Sequence, residues 1–166
     1  MPRRRTTLAV VVLAVAAVVA AGGLSWRSLR STPGPVQLPG SNASVIRDQA
    51  STVYVAPSGI LFDLDSAALT PGAVPTLRAI VADIKKSHLT GAIRVEGYTD
   101  DIGSTAYNLA LSRDRAQTVA AWLVRESGID GTRIRVLGLG ERNPAQRNDS
   151  DEHRQANRRV VIAVER

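Results

Sequence analysis

One stretch limits the fold of this chain more than any other: RVEGYTDDIGSTAYNLALSRDR, from Arg94 to Arg115. Ile93, Val95 and Gly97 alternate with Arg94 and Glu96, the period of a strand with one face buried. Thr99, Asp100, Asp101 and Gly103 break that period, as loop residues do. Ser104 or Thr105 then supplies a hydroxyl to cap a helix. At 100° per residue, Leu109, Leu111, Ala116, Val119, Ala120, Trp122 and Leu123 fall on one arc of that helix. Ala110, Arg113, Asp114, Gln117, Thr118, Ala121 and Arg125 fall on the opposite arc, with Val124 the large apolar residue among them. Asn108, Ser112 and Arg115 lie within the apolar arc.

Arg113 is therefore expected in solvent and Arg115 on the core side. A buried guanidinium needs a partner, because desolvating a charge is costly. The nearest supply of negative charge is the loop carboxylate of Asp100 or Asp101. The pattern predicts an Asp/Arg pair at the end of a strand. Such a pair is either an internal salt bridge that pins the loop or a site for a ligand bearing an ammonium and a carboxylate.

The surroundings fit a chain of alternating strands and helices. Thr52 to Ala56 and Gly59 to Phe62 read as short strands. Thr70 and Pro71 read as a helix start, with Leu77, Ile80, Val81 and Ile84 as its stripe and Pro75 confined to the first turns. Gly128 ends the second helix, and Arg133 to Val136 begins the next strand. Ser150 caps a short helix through Asn157. Arg159 to Val164 is a last strand, with Val160, Ile162 and Val164 on one face and Val161 and Ala163 on the other. This order predicts a two-layer α/β sandwich with a mixed sheet.

Charge divides the chain differently. Of 21 basic and 15 acidic groups, residues 1–52 hold six Arg and one Asp, leaving fifteen and fourteen in residues 53–166. The nearly neutral remainder has no basic footprint for nucleic acid. The excess sits at Arg3, Arg4 and Arg5, ahead of an uncharged run from Thr6 to Trp26. That run is long enough to span a bilayer, and the arginines place its start in the cytoplasm. Residues 1–26 are thus expected to be a membrane anchor, the alternative being a cleaved signal peptide. Residues 27–52, rich in Ser, Pro, Gly and Asn, read as a flexible linker, with a helical turn expected at Val45 to Ser51. Residues 53–166 form the domain.

No cysteine is present, which excludes a thiol nucleophile, a Cys-type zinc site and a lipidated N-terminal cysteine. His153 among Asp149, Asp151 and Glu152 lacks metal-ligand spacing, and no metal or cofactor is expected. No nucleophile elbow, zinc-protease or phosphate-loop pattern occurs, so no enzyme is expected.

Four segments together carry a family likeness: LFDLDSAALTP from Leu61, RVEGYTDDIGSTAYNLALSRDRAQTVAAWLV, RIRVLGLGE, and NDSDEHRQANRRVVI. From about Gly59 to Arg166 the chain resembles the OmpA-like peptidoglycan-binding domain of OmpA, Pal and flagellar stator proteins. Tyr98 stands where that family usually has His, and Leu139 where it often has Tyr. The resemblance implies noncovalent binding of peptidoglycan through the diaminopimelate of the stem peptide. Asp100 would take the ammonium and Arg115 the carboxylate, with Thr99, Asn108 and Arg158 as supporting contacts. Arg158 and Arg159 read equally as ordinary strand-edge charges. With the anchor retained, the protein is expected to be single-pass in the cytoplasmic membrane, its C-terminal domain outside, tethering membrane to wall. A second reading is an assembly module that docks another envelope protein or forms a homo-oligomer. A channel is a weaker third, since one apolar span cannot line a pore alone.

Overall fold

The computed structural model describes residues 34–166. Six strands form one sheet: β1 (Val36–Gln37), β2 (Ser44–Arg47), β3 (Ser51–Pro57), β4 (Ile93–Tyr98), β5 (Ile134–Gly140) and β6 (Arg159–Glu165). Their order across the sheet is β1-β2-β3-β6-β4-β5. β4 and β5 pair in parallel and every other neighbour is antiparallel. The helices are a single turn α1 (Ser58–Leu61), then α2 (Ala73–Lys86), α3 (Thr105–Ser127) and the short α4 (Asp151–Asn157).

The last strand is the middle of the sheet. β6 lies between β3 and β4. Its run VVIAV is apolar at every position because both faces are covered, as a central strand requires. Val160, Ile162 and Val164 join the main core with Leu77, Ile80 and Leu123 of α2 and α3. Val161 and Ala163 join a smaller cluster on the opposite face with Ile46, Val53, Val55 and Tyr98. The expected split of β6 is what the sheet shows.

β4, α3 and β5 form the crossover that parallel pairing demands. α3 lies so close to both strands that a Cβ on Gly97 would sit 1.9 Å from the Ser112 carbonyl oxygen. A Cβ on Gly138 would sit 2.5 Å from the Cβ of Arg113. Backbone approach of this kind excludes any side chain. Ser104 caps α3, its Oγ accepting from the Tyr107 N–H, and Gly128 ends it at φ 70°.

Three expectations need correction. Part of the stretch read as linker, residues 36–47, is β1 and β2, and Val45 lies in a strand rather than a helical turn. Asp48 turns the chain there, Oδ1 accepting from the Ala50 and Ser51 N–H groups at 2.7 Å. Leu38, Ala43, Val45 and Ile46 are buried, so the folded unit includes residues before 53. Gly59 to Leu61 is helical, and Phe62 only bridges to Leu69. The Ser58 N–H donates to the Arg158 carbonyl at 2.9 Å, which ties this turn to the entrance of β6. Lastly, α2 starts at Ala73 because the Thr70 hydroxyl bonds the Ile60 carbonyl at 2.9 Å instead of capping the helix. Residues 1–26, read as the anchor, lie outside the described residues. Among the described residues no helix is long and apolar enough to cross a membrane.

Candidate functional site

The site forms where β4 ends and β6 begins. Gly97 pairs with Val160 in antiparallel register, so the residues just beyond them, Thr99 and Asp100 on one side and Arg158 on the other, are neighbours. Arg158 Nη1 donates to Asp100 Oδ2, and Asp100 Oδ1 accepts from the Ile102 N–H at 3.2 Å. Asp100 is buried, while the Arg158 side chain remains one third exposed.

α3 delivers the other two side chains. Asn108 and Arg115 are buried on its inner face and Arg113 is exposed, as the helical count predicts. Leu109, counted into the apolar arc, is instead 39% exposed. Ser112, one turn before Arg115, accepts from the Gly140 N–H at 2.9 Å and holds α3 to the end of β5. Asn108 Nδ2 donates to the Asp100 carbonyl at 3.3 Å and to Glu141 Oε2 at 3.0 Å.

The predicted Asp100–Arg115 ion pair does not form. Asp100 is engaged by Arg158, and Asp101 accepts from Arg154 Nε at 3.2 Å. Arg115 sits in a cradle of the loop after α1: Nε donates to the Ser66 carbonyl at 2.8 Å and Nη2 to the Asp63 carbonyl at 3.3 Å. Its guanidinium lies 5.2 Å from the centroid of the Phe62 ring. It is 5% exposed and has no ion pair among the described residues. Burial lowers its pKa; Tyr107, Asp65 and Asp100 oppose that and the neighbouring Arg158 adds to it. The site thus brings a buried guanidinium held only by neutral carbonyls close to a carboxylate–guanidinium pair.

Thr99 is buried with its N–H on the Gly140 carbonyl at 2.9 Å, and its hydroxyl has no partner among the described residues. All five residues named from the sequence therefore gather at one end of the sheet. The sequence did not disclose the cradle of Phe62, Asp63 and Ser66. Its only signal was the run of loop residues DLDS, in which Asp65 adopts φ 53°. Arg159, read as a strand-edge charge, is 2% exposed and stacks 3.8 Å from the Tyr98 ring centroid on the other face of the sheet. No group of three metal-ligating side chains is placed to hold an ion among the described residues. His153 instead bonds Asp149 Oδ1 through Nδ1 at 2.5 Å.

A strand followed two residues on by Asp100, a helix that carries a buried Arg seven residues after an Asn, and a central final strand make up an α/β domain that matches the OmpA family over residues 61–158. The chain belongs to that family. It is 38% identical over 136 residues to the peptidoglycan-binding protein ArfA of Mycobacterium tuberculosis, a match that covers 81% of this chain and 40% of ArfA. Among solved structures it is similar to the cell wall anchor of the T6SS from Pseudomonas aeruginosa, with TM-score 0.67, 31% identity, and 74% of this chain and 87% of that one covered. The periplasmic domain of Helicobacter pylori MotB matches with TM-score 0.65 at 27% identity, covering 76% of this chain and 81% of that one. The chain spans less than half the length of ArfA. These relatives are named for binding peptidoglycan and for anchoring to the cell wall, and neither name is that of an enzyme.

Proposed function

We propose that this domain binds peptidoglycan noncovalently and that the group it reads is the zwitterionic end of diaminopimelate, a carboxylate and an ammonium on one carbon. The observation that carries this is Arg115: buried, with Nη1 and one Nη2 proton left after its two carbonyl bonds, and with no ion pair among the described residues. A ligand carboxylate supplies that missing charge through charge-assisted, bidentate bonds. Asp100 takes the ammonium, and Arg158 holds the carboxylate of Asp100 in place. The unpartnered Thr99 hydroxyl and the Asn108 amide complete the set. ArfA, a peptidoglycan-binding protein, and the type VI anchor support the ligand class.

Residues 1–26 are proposed as a retained anchor, with Met1 inside and the domain outside the cytoplasmic membrane of a bacterial envelope. The chain would then tether membrane to wall. Likeness to MotB and to the type VI anchor favours a variant of the same role, in which the tether serves an envelope assembly.

Co-sedimentation with purified sacculi tests the ligand. Diaminopimelate-type sacculi should bring the protein down. Lysine-type sacculi lack the second carboxylate and should bind it at least tenfold less, because Arg115 loses its partner. Equal retention by both would remove the diaminopimelate reading.

A further inference from the structure

We infer that Glu141, the first residue after β5, is a positioning residue for this site: it sets which way the Asn108 amide faces and so makes Asn108 a reader of the ligand's ammonium. The inference rests on the binding reading above and goes beyond it.

The geometry begins with Gly140, whose φ of 56° turns the chain as β5 ends. A Cβ there would lie 3.2 Å from the Leu109 nitrogen, so β5 ends against the first turns of α3. Glu141 then reaches across. Its Oε1 accepts from the Thr105 hydroxyl at 2.9 Å and its Oε2 accepts from Asn108 Nδ2 at 3.0 Å. An ionised carboxylate only accepts hydrogen bonds, so the Asn108 edge facing it has to be the NH2. The other proton of that NH2 points to the Asp100 carbonyl, at 3.3 Å.

Both donors of the amide are therefore spent on the protein. Oδ1 accepts no hydrogen bond among the described residues and faces Gly103, where a Cβ would lie 3.6 Å away. Gly103 has no side chain to cover it. The uncovered acceptor stands in the loop of Asp100, where a ligand ammonium needs a second oxygen. With the amide reversed, the same position would offer two N–H donors and repel a cation. Glu141 excludes that reversal, because a reversed amide would set Oδ1 against its carboxylate.

A double-mutant cycle tests this with full-length protein and diaminopimelate-type sacculi. Glu141→Ala should weaken binding about tenfold, the scale of one hydrogen bond to a charged group. In an Asn108→Ala background the same change should do almost nothing, since Glu141 acts through Asn108. Glu141→Gln should restore binding to within about threefold, its carbonyl oxygen facing Asn108 and its amide facing Thr105. Equal losses in both backgrounds would overturn the inference.

A ligand-free measurement covers the case in which Glu141→Ala fails to fold, and it separates this inference from the binding reading. In the wild-type protein, the Asn108 side-chain amide protons should move in step with the Glu141 carboxyl carbon as acid is added, before unfolding. Asn108 protons indifferent to that titration would overturn the positioning role. Coupled protons in a protein that does not bind sacculi would leave Glu141 in place and remove the ligand instead.

Discussion

Arg115 and Arg159 are both buried arginines, 5% and 2% exposed, yet they sit in opposite chemical situations. Each lies on an aromatic ring, Phe62 for one and Tyr98 for the other. Each donates to backbone carbonyls: Ser66 and Asp63 for Arg115, Asn157 and Asn143 for Arg159. What surrounds those bonds differs. Arg159 stacks on a tyrosine whose hydroxyl donates to the buried Glu96 at 2.7 Å, and Glu96 also accepts from Arg94 Nε at 2.5 Å. Burial lowers the Arg159 pKa to about 10, with Tyr98 and Glu96 opposing the shift. Arg115 has another cation, Arg158, beside it and a carboxylate already claimed by that cation. Neither arginine has an ion pair, and Arg159 Nε has no hydrogen-bond partner, among the described residues. What differs is the charge nearby, the carboxylate of Glu96 beside Arg159 and a second cation beside Arg115. Burial alone does not mark a functional arginine. A second cation close by and a carboxylate already engaged by it are what set Arg115 apart from Arg159.

The comparison predicts opposite signatures on mutation. Arg159→Ala should cost on the order of 3 kcal/mol in stability, by emptying the space over Tyr98 and taking a nearby cation away from the buried Glu96. Thermal or urea melts check this, and a loss below about 0.5 kcal/mol, the size of a surface change, would break the contrast. Arg115→Ala should weaken sacculus binding by about 30-fold or more, the scale for removing one partner of a desolvated charge contact. Arg113→Ala, two positions away and in solvent, should change it by less than about threefold. Lysine replacements sharpen the point. Arg115→Lys keeps the charge but loses the fork, so binding should fall while melting holds.

Alkaline titration gives the smallest of these effects. Burial and the Glu96 bond raise the Tyr98 pKa, and burial and the Asp83 bond raise that of Tyr54. A phenol raised in the folded state contributes stability that is complete below its unfolded value near 10 and is lost as pH rises above it. The phenolate absorbance of these two residues should therefore appear only as the fold opens. Early ionisation of Tyr98 in a still-folded protein would show that the Arg159 side of the comparison is not sealed.

How much of this could be read in the sequence depended on the range of the interaction. The burial of Arg115 and the exposure of Arg113 follow from rotation along one helix, and a count of 100° per residue found them. The Arg158–Asp100 pair did not follow, because it arises from the register of β4 on β6, which no local period reports. The carbonyl cradle of Arg115 involves backbone, and backbone carbonyls carry no residue identity. β1 and β2 were hidden for a different reason. Pro35, Pro39 and Gly40 mark turns, and the strands between the turns are only two and four residues long. Strands that short are made by their partners: Val45 opposite Tyr54, and Ile46 opposite Val53. Helix caps, by contrast, are local, and both Ser104 and Ser150 accept from the N–H three residues on, as their positions suggested.

The most direct test of the central claim measures sacculus binding and melting on the same samples of Asp100→Asn and Arg115→Ala. Asp100→Asn removes the charge that would receive the ligand's ammonium while keeping the side chain's shape. The account predicts that both variants stay folded and lose most of their binding to diaminopimelate-type sacculi. Variants that melt like the wild type and still bind those sacculi as well would contradict it.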